Sequence, residues 1–178
     1  MLQNIIEMID LKEYDNGMAV YFNRLKIKPM PLHSWDFYGS FFQSLSYALT
    51  DTKRLHTMAT DYQWNLEVDV KKELENDTVI IVTDARLQIV FSSQNMIKMN
   101  GYKEEEVIGK SPKMFQGKDT SKEVAAEIRE AITNKVSFEK KILNYCKNGE
   151  PYYCWIKGFP IFNTEGQLSH FIALEKAA

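Results

Sequence analysis

The spacing of apolar positions changes near residue 76 of this chain. Before that point apolar residues recur every three to four positions. After it, short alternating or β-branched runs are separated by Gly, Asn and Asp. In the first part, Leu2–Leu11 predicts a short helix, and a loop follows that ends at Pro29 and Pro31. Ser34 is a candidate N-cap with Asp36 in the first turn, and Phe37, Phe41, Leu45, Ala48 and Leu49 follow at helical spacing. Thr50 or Asp51 is a candidate cap for a second helix. On it Leu55, Met58, Ala59, Tyr62 and Leu66 form one stripe, with Val70 close to the same line. Residues 1–75 are thus expected to be an N-terminal helical extension that covers its own core or sheet or serves in dimerisation, two compatible roles.

The second part reads as strands and short helices. Thr78–Thr83 is a β-branched strand, Asp84, Ala85 and Arg86 a turn, and Gln88–Ser92 the returning strand. Gln94–Asn100 predicts a short helix stopped by Gly101, and Glu104–Ile108 another. Ser121 caps a helix running to about Asn134, with Val124, Ile128 and Ile132 on one face. Three strands close the pattern: Val136–Tyr145, Tyr152–Phe162 and Leu168–Leu174, joined by turns at Lys147–Gly149 and Asn163–Gly166. This order predicts an α+β domain with a five-stranded antiparallel sheet and helices on one face.

Composition narrows the classes. The chain has 178 residues, is 44% hydrophobic and carries a net charge of −2, so a packed core is within reach and no electrostatic reason exists to bind nucleic acid or an acidic membrane. Its two cysteines, Cys146 and Cys154, make neither a disulfide framework nor a familiar metal-ligand spacing. The N-terminus carries Glu7 and Asp10 within its apolar run and lacks a basic start, unlike a secretory signal. No apolar run reaches the roughly 20 residues of a membrane span. A cytoplasmic protein is expected.

From about Asn76 onward a series of motifs stands in a telling order: TDAR after the first strand, NGYKEEEVIG, FQG with Asp119–Thr120 behind it, Ile128–Arg129 on the helix, LNYCKNGEPYY and the closing FIALE. This part, residues 76–178, resembles a PAS sensor domain, most of all its light-sensing LOV branch. The resemblance implies a PAS-type sheet and, as candidate cofactor, flavin mononucleotide. It also implies a set of candidate binding residues. The loop asparagine of flavin-binding relatives falls on Ser111, the arginine after the photoreactive cysteine on Lys113, and the ribityl-binding glutamine on Gln116. The second phosphate-binding arginine falls on Arg129. Of the two asparagines at the flavin pyrimidine edge, one is Asn144 and the other has become Cys154. The signal-relaying glutamine falls on Glu175. The photoreactive cysteine itself is replaced by Pro112, which has no thiol and no N–H, so no cysteinyl–flavin adduct is expected. Asn to Cys removes an amide pair. An ionised Glu175 would offer only acceptors to a flavin carbonyl, whereas a buried, protonated one could donate.

Haem is a poor candidate, because His33, His56 and His170 fall away from the helices next to the expected pocket. Tyr145, Tyr152, Tyr153 and Trp155 read as sheet packing, with an exposed aromatic patch that binds a partner as the alternative, and Thr83 and Asp84 read as turn formers. Gln116, Asn144 and Glu175 are expected to share one cavity with Ile156 and Gly158 on its floor, left open by the missing side chain of Gly158. The functional expectation is a signalling module that is not an enzyme, binds flavin weakly or not at all, and acts on an unknown partner protein. It is expected to homodimerise through Trp35–Leu66 and the outer sheet face. The alternatives are a flavin-binding photoreceptor or redox sensor without adduct formation, and a small-molecule enzyme using the pocket.

Overall fold

The computed structural model describes residues 33–66 and 68–178. The expected helix over Leu2–Leu11 and the loop to Pro31 lie outside these residues. The chain divides into two compact units at Ser40/Phe41. In the first, the backbone from His33 onward is helical. The second, Phe41–Ala178, holds every strand of the sheet.

The leading helix, α1 (His33–Asp61), is continuous. Thr50 and Asp51 do not cap a second helix, because Asp51 is buried and its carboxylate has a remote partner. It accepts the Gln94 N–H at 2.7 Å, the Gln94 side chain at 3.2 Å and the Arg54 guanidinium at 3.1 Å. With no Gly or Pro between Ser40 and Asp61, nothing local breaks the helix. The Arg54 guanidinium bonds on to Glu104 at 2.6 Å and lies over the Phe91 ring.

After α1 come β1 (Trp64–Asn65), α2 (Val70–Glu75), β2 (Val79–Asp84) and β3 (Ile89–Ser92). Next are α3 (Met96–Asn100), α4 (Glu104–Val107), a 3₁₀ turn (Pro112–Phe115) and α5 (Lys122–Thr133). The chain closes with β4 (Phe138–Tyr145), β5 (Pro151–Asn163) and β6 (Leu168–Ala177). The expected α+β architecture is present. Five main strands form an antiparallel sheet in the order β4-β5-β6-β2-β3, and the two-residue β1 joins the far end of β5. Asp84 closes the first hairpin as a turn former, accepting the N–H groups of Arg86 and Gln88 at 2.9 Å. Ser121 caps α5 through the Val124 N–H.

Strand alternation splits the core into two layers. On the outer face Ile80, Val82, Ile172 and Leu174 pack with Ala48 and Leu55 of α1 and with Val70 and Leu74 of α2. On the inner face Val79 and Ile81 pack with Met96, Val107 and Phe115. The stripe read through Leu55, Met58, Ala59 and Leu66 therefore covers this chain's own sheet, whereas Tyr62 of the same stripe stays half exposed.

Candidate functional site

Between the inner sheet face, the 3₁₀ turn and α5 lies a cavity of about 240 Å³, below the roughly 300–1,000 Å³ usual for small-molecule sites. It has three zones. At the mouth stand Ser111, Lys113, Gln116 and Arg129, all solvent-exposed. The Ser111 hydroxyl accepts the Lys113 N–H and so starts the 3₁₀ turn, and Pro112 occupies the first turn position, where a missing N–H costs nothing. Neither Lys113 nor Arg129 has an ion-pair partner among the described residues.

The middle zone is apolar, lined by Ile81, Leu87, Phe115, Ile128, Ile142 and Ile156. Leu87 sits in the β2–β3 turn with φ 62°, a conformation that disfavours bulky residues. Gly158 is on the floor, as expected, but the space above it is not open. A Cβ at this position would overlap the Phe138 ring. The glycine is what allows that ring from the neighbouring strand to lie against the β5 backbone.

The inner end is polar and buried. Asn144 on β4 and Glu175 on β6 line it, each 4% exposed. Burial pushes the Glu175 carboxyl up to about 7, against the lowering effect of a hydrogen bond from Cys154. That thiol donates to Glu175 Oε2 at 3.6 Å. Burial and the neighbouring carboxylate push the Cys154 thiol strongly upward. The buried Tyr152 hydroxyl lies beside the Asn100 and Asn144 amides but completes no hydrogen bond of good geometry with them.

Six of the seven residues named from the resemblance thus line one cavity: Ser111, Lys113, Gln116, Arg129, Asn144 and Glu175. Cys154 does not. It is wholly buried behind Glu175 and reaches the cavity through that side chain. Thr83, read as a turn former, is a buried strand residue that lines the cavity. The alternation Val79, Ile81, Thr83 carried that signal. Phe138, also unforeseen, lines it too. His56 is exposed on α1, while His170 packs under Tyr62 and Trp64 and accepts from the Trp64 indole at 3.2 Å. Among the described residues no histidine lines the cavity.

The model of the PAS domain family matches residues 76–176. The chain belongs to that family. Its relatives place this PAS domain in the LOV branch. It is 41% identical over 88 residues to Protein TWIN LOV 1 of Arabidopsis thaliana, covering 49% of this chain and 22% of that protein. Against Phototropin-2 of Oryza sativa subsp. japonica it is 33% identical over 98 residues, 53% of this chain and 11% of that one. Against a blue-light-activated histidine kinase of Rhizobium johnstonii it is 34% identical over 95 residues, 52% and 28% of the two chains. The chain thus spans less than a third of the length of these curated relatives. Among solved structures, the dark structure of the blue-light photoreceptor Aureochrome1 LOV shares the fold with a TM-score of 0.58 at 22% identity, over 64% of this chain and 86% of that one. The LOV domain of an Erythrobacter litoralis blue-light activated histidine kinase gives 0.54 at 19% identity, over 56% and 94%. Residues 76–176 form a PAS/LOV sensor domain. No helix among the described residues is long and apolar enough to cross a membrane.

Proposed function

We propose that this PAS domain is a sensor module that takes a flavin nucleotide weakly and reversibly, forms no cysteinyl adduct, and signals through protein contacts. One observation carries the reading. The cavity keeps two cations at its mouth, an apolar slot and a polar inner end, and it is lined by Pro112, the residue that the LOV resemblance aligns with the reactive cysteine. In this reading Lys113 and Arg129 would hold a phosphate as charge-assisted donors. The apolar middle suits a planar ring system, and Asn144 offers an amide to a ring edge. A bound flavin would supply absorption of blue light. The residues therefore fit the group in kind, and the small cavity with the exchanged polar contacts argues for modest affinity.

Cys154 is no substitute nucleophile. Its thiol is wholly buried, held protonated by its surroundings, and shielded from the cavity by Glu175; the thiolate is the reactive form. Kinase activity belongs to longer relatives, of which the Rhizobium enzyme is matched over 28%.

A homodimer is the proposed partner arrangement. Phe41, Phe42, Leu45 and Leu49 are exposed along α1, whereas Ala48 and Leu55 pack on the sheet. The outer sheet face over β2 and β6 is occupied by α1. The sheet's contribution to a dimer would therefore come from Tyr153 and Trp155, both about half exposed and sharing the Lys141 ammonium.

The test is to load the full chain with flavin mononucleotide, follow binding by flavin fluorescence, and illuminate with blue light. Saturation at micromolar or weaker affinity, with no loss of the oxidised-flavin band to a thiol adduct, is the expected result. A lasting adduct spectrum, or no binding at all, overturns the reading.

A further inference from the structure

Among the described residues, Glu175 is the one ionisable side chain that lines the buried inner end of the cavity. The titratable groups around it are Cys154 and Tyr152, both on β5. Burial pushes the thiol and the phenol upward, so both remain neutral near neutral pH. Among the described residues the other elements bring no charge beside it. β2 and β5 set Val79 and Ile156 beside it in register, β4 brings the Asn144 amide, and the inner layer brings Met96 and Phe115. Lys113 and Arg129 are exposed at the mouth.

The hydrogen-bond partner of the carboxyl among the described side chains is the Cys154 thiol, a weak donor at 3.6 Å. A ring that fills the cavity would displace water from the carboxyl and offer its own carbonyl and imine lone pairs. A carboxylate can only accept, so two acceptors would meet across a dry contact, an unfavourable arrangement for a buried unpaired charge. A carboxylic acid resolves this by donating. Beside it Asn144 offers one more donor and one more acceptor.

We infer that Glu175 makes this a proton-coupled site: an acceptor-edged heteroaromatic ring binds together with one proton, which Glu175 carries and donates to the ring edge. The inference rests on the flavin reading above. It adds a pH-sensitive step to ligand capture, so that the same ligand concentration loads the sensor in mildly acidic surroundings and unloads it in alkaline ones. Cys154 acts as the positioning residue. Its donated hydrogen bond stabilises the ionised form, and so sets the pH at which ligand is released.

The test uses riboflavin, which lacks the titrating phosphate, and the full chain. Affinity is read from fluorescence quenching between about pH 6 and about pH 8.5. With the Glu175 carboxyl at about 7, affinity is expected to be level at the acid end and to fall about thirtyfold across the range, approaching tenfold per pH unit. Glu175→Gln, which keeps shape and a donor, is expected to bind with a flat profile. Cys154→Ala is expected to move the fall to higher pH, and an unmoved midpoint removes the role given to Cys154. Infrared spectroscopy of the ligand-free chain gives a second readout, a protonated-carboxyl band that titrates near neutrality and is lost in Glu175→Gln. Riboflavin binding with a flat profile in the native chain overturns this inference and leaves the flavin reading standing. No binding of riboflavin or flavin mononucleotide at any pH overturns both.

Discussion

The buried carboxylate of Asp51 accepts the backbone N–H of Gln94 at 2.7 Å, joining the middle of α1 to the segment that leads from β3 into α3. Arg54 extends the link to Glu104. Asp51→Ala would leave the Gln94 N–H without its acceptor and Arg54 with Glu104 alone, and is expected to cost about 1–3 kcal/mol. Asp51→Asn keeps one acceptor oxygen and is expected to cost less. Urea denaturation checks both, read as a lowered midpoint at unchanged slope.

Gly158 and Phe138 occupy one space. Gly158→Ala is expected to destabilise by about 1–3 kcal/mol, the usual cost of overpacking, because the new methyl overlaps the ring. Adding Phe138→Leu should restore part of that loss, giving a favourable coupling energy in a double-mutant cycle. Additive losses would mean that the two positions do not compete. The larger change Gly158→Leu therefore closes the cavity only at a substantial cost to the fold.

Glu175 also ties stability to pH. Its carboxyl is raised by burial from 4.5 to about 7. A raised carboxyl favours the fold below its unfolded value and loses that contribution as pH climbs through about 7. The native chain should therefore be more stable relative to Glu175→Gln at about pH 5 than at about pH 8.5, by roughly 2–3 kcal/mol. Denaturation of both proteins at the two pH values measures the difference, and equal differences would mean that the carboxyl is not displaced.

Assembly can be tested on α1. Leu45 and Leu49 are 40% and 57% exposed, so replacing both with Glu should leave the fold's stability within about 0.5 kcal/mol. In light scattering the native chain is expected to be a dimer at micromolar concentration and the doubly substituted chain a monomer. A native monomer removes the dimer proposal.

Much of the fold was legible because local chemistry and tertiary structure agree. The β-branched run over Thr78–Thr83, the Asp84 turn and the Ser121 cap each specify their own element, and each stands within a residue or two of where the pattern puts it. What was not legible depended on distant partners. Asp51 reads as a cap until Gln94, far along the chain, takes its carboxylate. Trp64–Asn65 has no strand period, and pairs because β5 runs long enough to reach it. In the cavity, the positions carried over from the LOV resemblance identified six lining side chains. The resemblance could not show that Cys154 lies behind Glu175, or that Phe138 fills the gap at Gly158. Both depend on packing between neighbouring strands rather than on any motif.

β6 places Glu175 at the cavity and its neighbour Leu174 in the layer under α1 and α2. One peptide unit separates them. The sheet is then a diaphragm, a single strand thick, with the cavity on one side and the leading helix on the other. A proton gained or lost at Glu175 has no relay of side chains to cross. In the proposed mechanism a tilt of that strand would reach the layer beneath the helix directly, so the proposed signal would require neither a long pathway nor a covalent event.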